Sequence, residues 1–411
     1  MKKLPLLFFI LLFVTFSAGV FLRLHFLDVR NRSADEVYYM TYAREIASNG
    51  IGSTANLIDA YFMDPGNWIY PPPTRIGYIG AVAAADKIAH RSDAMPGVYV
   101  SCLCSLLSLG VLAFLGLRHF RGWVSLIGLL FLSVSPMDLA IGRRVWADSL
   151  MSFLSALLLI AIGEIHENPK KRFWYFFYAL LGGYSLLVKE SAAIVFALGA
   201  LWILSVLLRR KLFKEAVFFI AFCILAAETA VFFLKWVSGD LSTVTTLLRH
   251  VKDSIPSNAY AAHYQNDSAW KFLESLWLLS PVSIFFAWIG IAVSLKKRQG
   301  FPFGVSIFIV VVLLFILIAP YFKNLRYASV VYVPYYLMAG VGAVEFTAAA
   351  CLRLKSSLLK NAVITLVVFS VIAGAFGDYL NFRRLFIERK IQDLLSGPIH
   401  RHSLYLMNQR H

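Results

Sequence analysis

The sequence predicts an all-α polytopic membrane protein with about eleven transmembrane helices, within a range of roughly ten to thirteen. Three observations carry that reading. Of 411 residues, 59% are hydrophobic and only 15% charged, with a mean hydropathy of +0.69. A soluble protein is nearer 45–50% apolar and about 25% charged. The apolar residues fall in runs of about 20, the length that crosses a bilayer core. The basic residues gather in short loops between those runs, so the net charge of +16 marks membrane topology and not a nucleic-acid partner.

The first run, about Leu4 to Leu22, follows Lys2 and Lys3. It is longer than the h-region of a signal peptide, about 7–15 residues, so it is expected to remain as a span. Ten further spans are expected at about 96–117, 123–139, 146–163, 173–188, 191–208, 214–236, 271–294, 302–320, 327–349 and 359–377. The stretch 75–89 is apolar but short, and it holds Asp86 and Lys87. If it does not cross, the basic loops Arg118–Arg121, Lys170–Arg172, Arg209–Lys214, Lys296–Arg298 and Arg353–Lys360 all share the side of Lys2 and Lys3. By the positive-inside rule that side is the cytoplasm. The expected outer face then holds a long first loop, 24–74, carrying short surface helices. It also holds a loop at 237–270 with Arg249, His250, His263 and Tyr264, and the turns at 142–148, 189–190 and 321–326. One domain, 1–378, is expected, with a short outer tail, 379–411. Cys102, Cys104, Cys223 and Cys351 lie in apolar segments and read as reduced packing residues.

Several polar groups then fall on one expected face. Ser33-Ala-Asp-Glu36 has the S-x-x-E form of a capping box, and Asn49-Gly50 supplies a stop. Asp35 would sit in the first helical turn, where the dipole favours its ionised form. Such a carboxylate can take a proton from an attacking hydroxyl; the alternative is a capped surface helix without chemistry. Tyr70-Pro71-Pro72-Pro73-Thr74-Arg75 forces an extended approach to the next helix. Arg143 and Arg144, close to Asp148, run against the positive-inside bias, and an anionic ligand or headgroup snorkelling would account for them. Lys189-Glu190 sits between two spans with almost no turn, and Lys323, Arg326 and Tyr327 sit late in the chain. Glu228 lies inside a span, about 12 Å below its expected outer end. It reads either as a functional acid or as an interhelix hydrogen bond. Arginine and lysine beside carboxylates are what a phosphate-bearing substrate and a hydroxyl acceptor require.

In this order the motifs resemble the GT-C class of integral membrane glycosyltransferases, in the branch of the protein O-mannosyltransferases and the lipid A aminoarabinose transferases. The matching features are Asp35-Glu36 with Tyr39, Ala43 and Arg44; the prolines at 71–73; Arg143/Arg144 to Asp148; Gly183 to Lys189; and Arg326-Tyr327 to Pro334. The resemblance implies an inverting hexosyl- or pentosyltransferase that takes sugar from a polyprenyl-phosphate donor on the outer side of a membrane, in this reading the bacterial inner membrane. It implies Asp35 as base, with Glu36 and Asp148 as the other acids of the catalytic group. Arg143, Arg144, Lys189 and Arg326 become candidates for the donor phosphate, and Arg75 is suggested as a substitute for the Lys or His that many relatives carry before their prolines. Tyr39, Tyr70, Glu190, Tyr327 and Glu228 are expected around the substrate cavity. The acceptor could be a lipid, a glycan or a protein. No D-x-D motif lies in the first loop, so no obligatory metal is expected, although a divalent cation is allowed. A lipid-linked-sugar flippase or another polytopic transporter is the rival reading, and it would need charges through the spans.

Overall fold

A computed structural model describes residues 5–27, 32–254, 256, 265–298, 300–321, 323–392, 394, 397 and 399–401. Lys2, Lys3, His263, Tyr264 and 402–411 of the tail lie outside the described residues. The helices are α1 (Leu6–His25), α2 (Ala34–Asn49), α3 (Thr54–Met63), α4 (Ile76–Ala89), α5 (Met95–His119), α6 (Gly122–Val134), α7 (Pro136–Gly142), α8 (Ala147–Glu167), α9 (Phe173–Val188), α10 (Ala192–Arg209), α11 (Phe213–Ser238) and α12 (Leu241–Ser254). They continue as α13 (Ala269–Leu279), α14 (Pro281–Lys297), α15 (Gly300–Ile318), α16 (Tyr332–Arg353) and α17 (Ser357–Phe382).

The all-α membrane class expected from composition is what the chain adopts. Among the described residues, eight helices are long and apolar enough to cross a bilayer, or ten if each of two bent pairs is one span. The expected eleven is reached only by adding α9, whose 16 residues are apolar but short. The bends have local causes. α6 and α7 meet at 56° before Pro136, and α13 and α14 meet at 113° at Ser280-Pro281. Proline removes a backbone donor and restricts the residue before it. The sequence reading passed over the second break and ran one span through it. The stretch 75–89 forms α4, whose 14 residues reach about 21 Å, less than a hydrocarbon core of about 30 Å.

The chain divides into two compact units. One comprises residues 1–27, 105–140 and 267–411. Its centre is α16, packed against α6 and α14. The close α14–α16 approach needs glycine: a Cβ on Gly342 would lie 1.8 Å from the Phe286 carbonyl oxygen, and small residues let membrane helices meet backbone to backbone. The same unit holds Arg23, 4% exposed inside α1. Its guanidinium donates to Ser105 Oγ at 2.6 Å, to the carbonyls of Gly19, Leu132 and Ser133 at 3.0–3.1 Å, and to the Asp138 carboxylate. A buried charge is tolerable only when its donors are satisfied in this way.

The other unit comprises residues 28–104 and 141–266. In it α2 packs on α4, α4 on α9, and α9 on α8 and α11. The first loop does carry short helices, α2 and α3 and two short 3-10 turns. They are not loose surface elements, however: Tyr39, Tyr42, Ala43 and Ile46 of α2 are buried. Gly50, at φ 83°, ends α2 in a conformation that costs a side-chain-bearing residue energy.

Candidate active site

The site is built in the second unit from helix ends. Helix termini leave backbone groups unsatisfied and carry partial charges, so they attract the residues that chemistry uses. Asp35 lies in the first turn of α2 and is half-buried. It is within electrostatic reach of the hydroxyls of Tyr39 and Tyr61. Burial pushes the Tyr39 phenol well above its ordinary range, although Arg75 opposes this. Tyr39 therefore stays protonated at neutral pH, and its oxygen accepts from Arg75 Nη1 at 2.7 Å.

Arg75 caps the start of α4. Its Nε and Nη2 grip the Glu190 carboxylate at 2.8–3.2 Å, a two-point geometry that guanidinium offers and ammonium does not. The Glu190 side chain is 43% exposed, although enough protein surrounds it for desolvation to oppose its charge. The Arg75 guanidinium outweighs that cost and keeps the carboxyl low. Beside it in sequence, Lys189 ends α9, and its Nζ lies 2.6 Å from Oδ1 of Asp148 in the first turn of α8. Both side chains are more than nine-tenths buried. Each sits at the helix end whose dipole favours its sign.

Glu36 is fully buried. Its carboxylate accepts from Arg144 at 2.7 Å, from the Val145 N–H at 3.0 Å, from Arg32 at 3.0 Å and from the Ser33 N–H at 2.9 Å. Burial raises its pKa, but these four donors together outweigh it and hold the carboxyl below the usual range. The expected capping box is thus present, and it also ties α2 to the turn before α8. Arg144 further stands 5.7 Å from the Trp146 ring centroid. Arg143 is 8% exposed, and its carbonyl accepts from Arg32 at 3.4 Å.

An aromatic wall continues from Asp35 along α2. Tyr38 stacks on Tyr70 with centroids 4.4 Å apart and donates to Asn67 at 2.7 Å. Tyr61 donates to the Tyr70 carbonyl at 2.8 Å, which holds the chain entering the buried prolines 71–73. His250 of α12 stacks on Trp68 at 5.0 Å, so the 237–270 loop docks on the first loop, a contact with no signal in the sequence.

Ten residues expected at the site therefore meet in one unit: Asp35, Glu36, Tyr39, Tyr70, Arg75, Arg143, Arg144, Asp148, Lys189 and Glu190. Arg326 and Tyr327 belong to the other unit, where the Arg326 guanidinium stands 5.7 Å from the Tyr327 ring. Glu228 is exposed on α11 and bonds to none of the ten. Sequence reasoning missed Tyr61, and it missed that Arg144 meets Glu36. No group of three metal-ligating His, Cys, Asp or Glu side chains occurs among the described residues.

Solved structures share this fold. ArnT from Cupriavidus metallidurans bound to undecaprenyl phosphate superposes with a TM-score of 0.56 at 15% identity, over 97% of this chain and 75% of that one. The chain shares the fold of these GT-C membrane proteins. The oligosaccharyltransferase of Archaeoglobus fulgidus matches with a TM-score of 0.58 at 11% identity, over 90% of this chain and 56% of that one. Arabinosyltransferase EmbB from Mycobacterium smegmatis matches with 0.55 at 12%, over 99% and 41%. In sequence, the profile of the dolichyl-phosphate-mannose-protein mannosyltransferase family matches residues 81–236. That range contains Arg143, Arg144, Asp148 and Lys189 but begins after Asp35. No curated protein matches the chain. The shared fold and the apolar helices make this an integral membrane protein.

Proposed function

We propose that the protein moves a sugar from a polyprenyl-phosphate donor to an acceptor hydroxyl, with Asp35 as the base. The observation that supports this is that a half-buried first-turn carboxylate and two ion-paired cations, Arg75 and Lys189, belong to one unit of a GT-C fold. Tyr39 lies within electrostatic reach of Asp35, Arg75 and Asp148. The acceptor O–H gives its proton to Asp35, and its oxygen attacks the anomeric carbon. The bond from that carbon to the phosphate oxygen breaks on the opposite face, so the configuration inverts. The polyprenyl phosphate leaves with the bonding electrons.

In the structure Arg75, Arg144 and Lys189 each face a carboxylate. A phosphate arriving at Arg75 or Lys189 exchanges one anionic partner for another, and so costs less desolvation than a bare cation would demand. Asp148 and Glu190 keep Lys189 and Arg75 placed until then. Glu36 and Arg144 act in this reading as the anchor beneath Asp35. Arg143 and Arg326 are further candidates for the donor phosphate, and the Tyr38–Tyr70 wall beside Asp35 is the side for the acceptor, whether lipid, glycan or protein. The ArnT match is bound to undecaprenyl phosphate, and the archaeal oligosaccharyltransferase AglB is known in complex with dolichol-phosphate and a peptide. Those ligands support a lipid-linked donor here.

The sidedness in this proposal is supported by the charge difference between the ends of α8 and α9. Asp148 and Lys189 lie at one end of this antiparallel pair. Lys170, Lys171 and Arg172 lie at the other, after the 21 residues of α8, about 31 Å away. The basic end belongs in the cytoplasm, so the site opens on the outer side, in our reading that of the bacterial inner membrane.

The test is mass spectrometry of glycolipids and glycoproteins from cells carrying the wild-type chain or Asp35→Asn. The glycosylated product should fall about 10²–10⁴-fold in the variant. Undiminished product would remove Asp35 as base.

A further inference from the structure

Glu228 is a carboxyl that the proposed reaction does not use, and it stands on the exposed face of α11. The helix has 26 residues and is about 39 Å long, more than a hydrocarbon core of about 30 Å. Glu228 lies about 4 Å from the middle of the helix, far from either interface. α11 packs on α9, α10 and α12, and its Ala216, Phe219, Ala230 and Val237 are buried. The opposite face carries Ala221, Leu225, Glu228, Phe232 and Lys235, all exposed, Leu225 by 59% and Phe232 by 71%. Among the described residues no ion pair or hydrogen bond engages the Glu228 side chain.

An ionisable side chain at this depth is expensive when it faces lipid, and such groups are found paired. The five exposed residues follow one another in alternate steps of four and three, the spacing of a seam between two packed helices. Ala221 is small enough to let a second backbone come close. A carboxyl that holds its proton is both donor and acceptor, so its complement is another carboxyl at the same depth. A two-fold axis along the bilayer normal supplies that, because it sets each group opposite its own copy. Both ends of the seam carry both signs. Lys235 is within electrostatic reach of Asp240, and Lys214 of Glu215, so two copies meet there without one sign facing only itself. We propose that α11 is a self-association surface: two copies of the chain pack α11 against α11 in parallel, and their Glu228 carboxyls hydrogen-bond to each other. The polar pair at the centre of an apolar seam fixes its register.

The experiment is energy transfer between donor-labelled and acceptor-labelled copies of the full chain in phosphatidylcholine vesicles, over a range of protein-to-lipid ratios and without substrate. Wild type should associate saturably as a dimer. Glu228→Leu, which suits hydrocarbon and leaves the fold intact, should move the midpoint to about tenfold higher protein density. Glu228→Gln, which keeps a donor and an acceptor, should restore most of the association. Absence of energy transfer at every ratio, or a midpoint that Glu228→Leu does not move, would overturn the surface. So would a monomeric chain that binds a polyleucine peptide carrying one mid-span lysine, which would assign the face to a basic helix of another protein. Asp35 and its chemistry do not enter the measurement.

Discussion

Asp35 and Glu36 are adjacent acids with opposite surroundings. Asp35 is half-buried beside phenols, whereas Glu36 is sealed under four donors. A carboxylate so occupied has no lone pair to offer an incoming proton, so it holds structure. Glu36→Ala should remove the carboxylate that Arg144 meets and cost about 3–5 kcal/mol, read as a lower unfolding midpoint. The pH dependence has a definite sign. The Glu36 carboxyl sits below its unfolded value of about 4.3, so its contribution is complete above that pH and is lost as pH falls through the folded value. Unfolding midpoints followed below about pH 4.3 should therefore drop more steeply for wild type than for Glu36→Gln. A parallel fall would show that Glu36 is not held low.

At the scale of elements, local signals worked where the cause was local. Ser33-x-x-Glu36 started α2, Gly50 stopped it, and the prolines at 71–73 kept the chain extended. The signals failed where a partner was distant. Nothing local marks Arg23 and Asp138 as partners, since 115 residues separate them. Their pairing inside the spans joins α1 to α7. Arg23→Leu should strand the Asp138 charge and destabilise the protein by about 3–5 kcal/mol, whereas Arg23→Leu with Asp138→Leu should recover much of that loss. Equal losses in the single and the double variant, compared by thermal unfolding, would mean that the pair is not what joins these helices.

For the whole molecule, the proposed reaction is driven by side chains: a carboxylate takes the proton while guanidinium and ammonium groups meet the phosphate. In our proposal no metal is obligatory. Transfer by membranes treated with a chelator should therefore stay within about twofold of the untreated rate, and a loss restored by a divalent ion would put a metal at the site. The sequence by itself determined the membrane class, the clustering of basic loops and the stretch around Asp35. Hydropathy, charge bias and helix caps act over a few residues, or over the width of a bilayer, and can be read along the chain. Only the tertiary structure decided that Glu36 belongs to Arg144 and Lys189 to Asp148, that Arg326 lies in a different unit, and that a span breaks at Ser280 around a buried Asp378. Those outcomes depend on which groups meet after folding. In a medium of low dielectric, contact alone decides whether a charge is stabilised or stranded.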